Sequence, residues 1–277
     1  MLSGTTKLTD ANQRALERRD LYRRELVEGK TPEGSWRKLK LEYPFIGFID
    51  CQVEDIPFTM FSADDDVVAW NYFWAGPDSY EAEIITQWLT WAREAENILD
   101  IGAYTGMMSI IAAFANPRCK IHAMEPVERT VERIKINLRA NGIEKRVTVH
   151  PRAAANEFGP EMINYYREED FLGTGNSIHS KGKKVFSRRM IQAVNTDQYL
   201  GDKHRFDLIK VDVEGFEFET LKGLRRIMNR DRPKIVLELW QENEADVFRL
   251  LDTMRYEYKP VEKTPVRVMN YLCVPKD

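Results

Sequence analysis

Apolar residues in the second half of the chain form short continuous runs that alternate with runs at helical spacing. The continuous runs predict buried strands at residues 98–102, 120–125, 146–150, 206–212 and 234–239. The spaced runs predict helices at residues 107–115, 126–138, 218–228 and 243–254. Strands that alternate with helices in this order are typical of a parallel sheet with crossover helices. The pattern therefore predicts a doubly wound α/β domain.

Two other segments extend this domain. Residues 256–274 contain two β-rich runs separated by Thr264-Pro265, which predict a terminal hairpin. A long connection, about residues 157–202, separates the third and fourth strands. A connection of this length usually carries a function of its own. We therefore expect an insertion before the fourth strand.

The N-terminal residues have a different pattern. Residues 8–28 predict a weakly amphipathic helix, and residues 45–61 alternate as strands do, with a turn at Glu54-Asp55. Aromatic residues at 70–74 suit either a substrate pocket or core packing, and core packing is favoured. The sequence thus predicts an accessory helix and β segment over residues 1–78, followed by the main domain over residues 79–277.

A loop with two glycines follows the first strand of the α/β domain. Asp100, Gly102 and Gly106 form the pattern D-x-G-x-x-x-G, whereas dinucleotide folds use G-x-G-x-x-G. A carboxylate in the loop would repel a pyrophosphate but would attract the ammonium and sulfonium of S-adenosyl-L-methionine. The loop therefore favours S-adenosyl-L-methionine over NAD. The alternative is that Asp100 only caps the loop and the glycines only form a turn.

Further carboxylates lie at the ends of later strands. Glu125 ends the second strand, where doubly wound folds place an acid that binds ribose hydroxyls; alternatively, it caps the helix that begins at Pro126. Asp212 and Glu214 leave the fourth strand, and Glu238 ends the fifth. Because ligands of open α/β sheets bind outside these strand ends, we expect the last three carboxylates to converge there. The alternative is structural pairing, for example of a neighbouring lysine with an acid.

Composition limits the choice of partners. With 41 basic and 44 acidic residues the net charge is −3, so no overall field attracts nucleic acid or an anionic membrane. The densest basic residues most often form a solvated face; they are Arg152, Lys181, Lys183, Lys184, Arg188 and Arg189. The three cysteines stand far apart, and no apolar run approaches a membrane span. Reduced thiols and a cytoplasmic protein are therefore expected.

These motifs, in this order, resemble those of the FkbM-type methyltransferases. The resemblance rests on Asp100-Ile101-Gly102-Ala103-Tyr104-Thr105-Gly106, Glu125-Pro126, Asn141-Gly142, Lys210-Val211-Asp212-Val213-Glu214-Gly215-Phe216-Glu217, Leu221-Lys222-Gly223 and Glu238. Tyr80-Glu81 and Val194-Asn195-Thr196-Asp197 also fit. The resemblance covers residues 79–239, and more weakly the segment near Phe45 and the terminal hairpin.

The resemblance implies a Rossmann-like class I methyltransferase sheet of seven strands, mostly parallel with the last antiparallel, and S-adenosyl-L-methionine as cofactor. By position, the loop after the first strand lines the methionine end, Glu125 holds the ribose, and the segment from Arg152 lies near the adenine. The residues that it assigns to cofactor binding are Tyr80, Glu81, Asp100, Gly102, Ala103, Tyr104, Thr105, Gly106, Glu125, Pro126, Arg152, Ala153 and Asp212.

The chemistry that the resemblance implies is mostly O-methylation, of a hydroxyl on a small metabolite, sugar or natural product. Transfer to a hydroxyl needs a base for its proton, and the candidates are Asp212, Glu214 and Glu238, with His179 as the alternative. The three acids also suit a divalent cation, but no metal site is predicted because the sequence fixes no ligand geometry.

Two other functions remain open. An RNA 2'-O-methyltransferase is suggested by Lys210, Asp212 and Glu238 near strand ends, but the near-neutral charge disfavours it. A catalytically silent cofactor-binding scaffold is the second, and the intact acids argue against it. We expect a small-molecule acceptor and no nucleic acid or membrane partner, while the oligomeric state is left open.

Overall fold

The computed structural model describes residues 3–166, 172, 175–178, 184–264 and 266–276 of the chain. It divides into two compact units. The first comprises Met1–Ala82 with Asp170–Leu172, and the second comprises Glu83–Glu169 with Gly173–Asp277.

The first unit combines helices with one β-hairpin. Its elements are α1 (Ser3–Val27), α2 (Trp36–Glu42), β1 (Ile46–Val53), β2 (Ile56–Ala63) and α3 (Val67–Ala75). The predicted hairpin is confirmed, because β1 and β2 pair antiparallel around a turn in which Glu54 has φ +47°. Helix α1 begins earlier than predicted, since its polar first turns carry no apolar signal. The aromatic residues of α3 are buried, which confirms the core interpretation of residues 70–74.

The second unit contains the alternating strands and helices. In chain order they are α4 (Ala82–Ala92), β3 (Asn97–Ile101), α5 (Met107–Ala115), β4 (Lys120–Met124), α6 (Glu128–Ala140), β5 (Val147–His150), β6 (Ala153–Ala155), β7 (Gly159–Tyr165), β8 (Ser187–Asn195), α7 (Thr196–Leu200), β9 (Leu208–Val211), α8 (Glu217–Lys222), α9 (Arg225–Asp231), β10 (Lys234–Trp240), α10 (Glu244–Thr253), β11 (Tyr256–Pro260) and β12 (Val268–Pro275).

Seven of these strands form one sheet in the order β11-β12-β10-β9-β3-β4-β5. Strands β10, β9, β3, β4 and β5 pair parallel, whereas β12 is antiparallel to both β10 and β11. The predicted seven-stranded, mostly parallel sheet with its last strand antiparallel is therefore confirmed. So is the terminal hairpin, which β11 and β12 form.

The described part of the predicted insertion contributes β7 and β8 to a second sheet. This three-stranded sheet has the order β6-β8-β7, with β6 parallel and β7 antiparallel to β8. Its attachment involves α8, because Thr220 Oγ1 donates to the carbonyl oxygen of Ala154 at 2.9 Å. His179, the alternative base, lies outside the described residues.

One predicted helix is interrupted in the structure. Residues 218–228 were expected to form a continuous helix, but α8 ends before Gly223 and α9 begins after it. A Cβ on Gly223 would lie 1.8 Å from the carbonyl oxygen of Ala155, so the glycine is needed for close backbone contact. The Asp197 carboxylate then accepts from the amides of Arg226 at 2.7 Å and Ile227 at 2.9 Å, which caps α9. The break therefore has a tertiary cause.

Three histidines pack against one another beside β4 and β5. Nδ1 of His122 lies 3.0 Å from Nε2 of His150, and the His204 ring centroid lies 4.3 Å from that of His122. The Tyr199 hydroxyl lies 3.2 Å from Nδ1 of His150. Burial and the neighbouring imidazoles lower the pKa of His122 to about 4, and the same causes lower that of His150. Burial in this cluster therefore favours the neutral imidazoles of His122 and His150 in the folded protein.

Two expectations about the environment of the chain concern cysteines and membranes. Cys51, Cys119 and Cys273 are buried and free, as predicted. Among the described residues, no helix combines the length and the apolar character that crossing a membrane requires.

Candidate active site

The loop between β3 and α5 is held against the ends of two neighbouring strands. The amides of Gly102 and Ala103 both donate to the carbonyl oxygen of Met124, at 2.9 and 3.1 Å. Gly102 has φ +78°, and a Cβ on it would lie 1.7 Å from the carbonyl oxygen of Asp212. The glycine is therefore required both for its backbone conformation and for its contact with the chain after β9.

The rest of the loop leads into α5. Tyr104 has φ +49° and Gly106 has φ +90°, so the chain turns sharply before the first helical residue. Thr105 is fully buried, and its carbonyl oxygen accepts from Nδ2 of Asn137 at 2.8 Å. Its hydroxyl oxygen has no hydrogen-bond partner among the described residues. The loop is thus fixed by backbone and side-chain contacts but retains an unsatisfied polar atom.

Asp100 is a buried carboxylate of which the structure shows only one oxygen hydrogen-bonded to another described residue. Its Oδ2 accepts from the Ser109 hydroxyl at 2.6 Å, whereas Oδ1 has no hydrogen-bond partner among the described residues. Burial raises the pKa of Asp100, while Lys210 and Ser109 act to lower it. A capping contact to the first turn of α5 therefore exists, but it uses only half of the carboxylate. The other oxygen remains for a ligand donor, because a buried unsatisfied acceptor is costly.

Glu125 joins this loop to the start of α6. Its Oε2 accepts from the amide of Tyr104 at 3.1 Å, and its Oε1 accepts from the amide of Val127 at 2.9 Å. Helix α6 begins at Glu128 rather than Pro126, so Glu125 binds the amide of the residue before the helix, and each of its oxygens can accept a further bond. The pKa of Glu125 is raised to about 8, mainly by burial and also by the charges of Asp212 and Asp100, although the two backbone bonds act to lower it.

Three further carboxylates converge at the ends of β9 and β10. Asp212, Glu214 and Glu238 each place an oxygen within 4.8 Å of the other two, and all three side chains are partly accessible. The predicted convergence is confirmed; we call this group the acidic trio. The pairing of a neighbouring lysine with an acid, which was one part of the structural alternative, is observed as well, since Nζ of Lys210 donates to Oδ2 of Asp212 at 2.6 Å.

The backbone of the acidic trio is held by residues that sequence analysis missed. Glu214 and Gly215 have φ +55° and +100°, a conformation that needs support at the non-glycine position. The Ser177 hydroxyl donates to the carbonyl oxygen of Glu214. Glu217 accepts from the amide of Gly215 at 2.6 Å, and Nδ2 of Asn243 donates to the carbonyl oxygen of Gly215 at 2.9 Å. The insertion and α10 thus both contribute to fixing this turn.

A comparison with models of protein families identifies the family of this chain. The family model described as the methyltransferase FkbM domain matches residues 100–260, which include the loop after β3, Glu125 and the acidic trio. The chain belongs to the FkbM methyltransferase-domain family.

Individual relatives of this FkbM domain are distant. The protein named Methyltransferase sdnD from Sordaria araneosa is 26% identical over an alignment of 171 residues, and the match covers 52% of this chain and 66% of that protein. The crystal structure of Methyltransferase FkbM from Methylobacillus flagellatus KT is 20% identical with a TM-score of 0.47, and the match covers 65% of this chain and 43% of that one. Precorrin-6y C5,15-methyltransferase from Geobacter metallireducens GS-15 is 15% identical with a TM-score of 0.46, over 72% of this chain and 90% of that one. The chain therefore spans just under two thirds of the curated relative and less than half of the first of these crystal structures.

The other residues that were predicted to bind the cofactor lie on several elements. Arg152 donates through Nη1 to the carbonyl oxygen of its neighbour Pro151 at 2.7 Å, and Ala153 is buried in β6. Pro126 is half-buried beside Glu125. Tyr80 and Glu81 belong to the first unit, so their assignment to the cofactor stays a prediction.

The residues present in the FkbM domain fit S-adenosyl-L-methionine. Oδ1 of Asp100 and the hydroxyl oxygen of Thr105 are buried and lack partners among the described residues, so both offer bonds to a polar ligand. Glu125 offers two acceptor oxygens where ribose hydroxyls are expected. Carboxylates suit a ligand that carries an ammonium and a sulfonium and has no phosphate.

Proposed function

We propose that this protein is an S-adenosyl-L-methionine-dependent methyltransferase that acts on a hydroxyl of a small metabolite, sugar or natural product. The observation that carries the proposal is the arrangement at the strand ends. Asp100, a buried carboxylate with an open oxygen, lies near the end of β3, just before the Gly102 loop that contacts the backbone of Asp212, and Asp212 belongs to the partly accessible acidic trio. The groups that suit cofactor binding therefore lie next to the groups that suit proton removal.

Each of these groups has a chemical task in the proposal. When bound, S-adenosyl-L-methionine supplies a methyl carbon that is already activated by its sulfonium. Asp100 accepts a hydrogen bond from the ammonium, and Glu125 accepts hydrogen bonds from the ribose hydroxyls. A carboxylate of the acidic trio accepts the proton that the acceptor hydroxyl loses. The remaining demand on the protein is to align the acceptor and exclude water.

The contact between Lys210 and Asp212 favours a base over a divalent cation in the acidic trio. The ammonium of Lys210 already occupies one oxygen of Asp212 at 2.6 Å. A metal ion bound to the same carboxylate would stand close to that positive charge, which lowers its affinity. Proton transfer needs only one partly accessible carboxylate of the trio, whereas a divalent cation needs several oxygen ligands around it. We therefore assign the acidic trio to acid-base chemistry.

Calorimetric titration with S-adenosyl-L-methionine and S-adenosyl-L-homocysteine tests the cofactor. We expect micromolar-range binding to the wild type, and a loss of at least about tenfold in Asp100→Asn and Glu125→Gln, because each replaces an acceptor oxygen of the site with an amide nitrogen that cannot accept. Asp246→Asn is the matched control, since this exposed acid of α10 pairs only locally with Arg249. A folded wild type that binds neither ligand would contradict the proposal.

A separate prediction tests the assignment of the acidic trio as the base that accepts the proton. With an acceptor found by screening hydroxylated compounds, Glu238→Gln is expected to keep the affinity for S-adenosyl-L-homocysteine and to lower the rate of methyl transfer by about a hundredfold. If wild type binds the cofactor but methylates no acceptor, the scaffold alternative gains support. Methylation of RNA, with binding that weakens steeply as salt rises, would instead support the RNA alternative.

A further inference from the structure

Lys210 lies among the acidic strand ends, where no role in the reaction has been assigned to it. In the parallel ladder between β3 and β9, Lys210 is the partner of Asp100. Asp212 follows two positions later along the same strand direction. Side chains alternate along a strand and neighbours in register share a face, so these three side chains belong to the same face of the sheet.

The ammonium of Lys210 is buried and pairs with the carboxylate of Asp212. Lys210 is only 6% exposed, and its Nζ donates to Oδ2 of Asp212 at 2.6 Å. A buried ammonium is costly unless it is paired and hydrogen-bonded. Because Lys210 pairs with Asp212 and lies one strand away from the buried carboxylate of Asp100, its positive charge offsets the negative charges of both acids.

Asp100 is the acid that most needs this charge. Burial raises its pKa, the negative charge of Asp212 raises it further, and Lys210 is the strongest of the influences that lower it. A protonated Asp100 would lose its attraction for a ligand ammonium. The open oxygen of Asp100 is therefore useful for cofactor binding only while a neighbouring cation balances the carboxylate.

We propose that Lys210 is a positioning residue of the cofactor site, whose ammonium orients Asp212 and keeps Asp100 a carboxylate that accepts the ammonium of S-adenosyl-L-methionine. This inference rests on the proposed function and extends it to a residue that need not touch the cofactor. S-adenosyl-L-homocysteine has the same ammonium but no sulfonium. Its binding therefore depends on Lys210 in the same way, which separates this role from any effect on methyl transfer.

The test is calorimetric titration of the full chain with S-adenosyl-L-homocysteine between about pH 5.5 and about pH 8. The variants are Lys210→Met, which removes the charge, and Lys210→Arg, which keeps it. Lys234→Met is the matched control, because Lys234 begins the neighbouring strand β10 at the other end of the sheet and pairs with Glu94 at 3.6 Å.

We expect Lys210→Met to weaken binding at neutral pH by at least about tenfold. Its affinity should recover as the pH rises, because Asp100 then ionises without help from a lysine. Lys210→Arg should keep the wild-type pH profile, and Lys234→Met should keep both the profile and the affinity. The inference is overturned if Lys210→Met has the wild-type affinity, or if its affinity is lower by the same factor at every pH. If the wild type binds no ligand at any pH, the proposed function itself is wrong.

A second measurement covers the case in which Lys210→Met folds poorly. If Lys210 balances the charge of Asp100, adding Asp100→Asn to Lys210→Met removes the unbalanced carboxylate. The double variant should then unfold at a higher urea concentration than Lys210→Met alone. A double variant that is no more stable than the single variant would overturn the inference, because a lysine that only packs against its neighbours gives additive losses.

Discussion

Replacing Gly102 with alanine is expected to abolish cofactor binding and to lower the free energy of unfolding by at least about 3 kcal/mol. The new Cβ would lie 1.7 Å from the carbonyl oxygen of Asp212 and 2.8 Å from its carbonyl carbon. Both are backbone atoms, so the clash cannot be relieved by a side-chain rotation. The loop or the strand end must move, and either movement displaces Asp100 or the acidic trio. Urea unfolding and calorimetric titration with S-adenosyl-L-homocysteine measure the two effects.

Gly142→Ala is the matched control for this prediction. Gly142 has φ +66°, similar to the +78° of Gly102, but a Cβ there meets nothing within 4 Å. Gly142→Ala should therefore lower the free energy of unfolding only by the backbone strain, about 1 kcal/mol, and leave the cofactor affinity unchanged. Equal losses of stability in the two variants would show that the close contact between the Gly102 loop and Asp212 does not constrain the fold.

The second large effect is a loss of stability on acidification that depends on His122. The pKa of His122 is lowered to about 4 in the folded protein, whereas an unfolded histidine takes up its proton near pH 6.5. The unfolded state therefore binds more protons between these values, and the free energy of unfolding falls as the pH drops through this interval. For this residue the loss reaches about 3 kcal/mol. His150 contributes in the same direction, because its pKa is lowered as well.

The difference between wild type and His122→Gln isolates this contribution. Glu125 acts in the opposite direction, because its pKa is raised to about 8 and its stabilising effect is lost as the pH rises through that value. The groups that face His122 are His150 and His204, and the Tyr199 hydroxyl contacts His150. His122→Gln should be less stable than wild type at about pH 8 and should lose less stability on acidification. Parallel stability profiles from urea unfolding would contradict the assignment.

The sheet could be predicted from the sequence because its central strands are buried on both faces. Such strands appear as short apolar runs, and residues 98–102 and 234–239 differ from β3 and β10 only at their ends. Local signals failed where a distant contact decides the structure. The break between α8 and α9 depends on the approach of Gly223 to Ala155, which no spacing of apolar residues reveals.

The candidate site could be predicted for a similar reason and only in part. The carboxyl ends of parallel strands meet at one edge, so the convergence of the acidic trio follows from the strand assignments. The support for the trio does not, because Ser177 and Asn243 reach the same turn from the insertion and from the start of α10. Glu217 lies within the motif, but only its two hydrogen bonds, to Gly215 and Asn243, show that it braces the turn.

The attachment of the three-stranded sheet has a consequence for protein engineering. Two backbone carbonyls of β6, those of Ala154 and Ala155, meet Thr220 and Gly223 of the main domain. Backbone contacts do not depend on which side chains the rest of the insertion carries. A chimera that keeps β6, Thr220 and Gly223 and exchanges residues 157–195 for those of another family member should therefore fold. Since Ser177 in that segment also contacts Glu214, such exchanges would change a support of the acidic trio without altering the Gly102 loop.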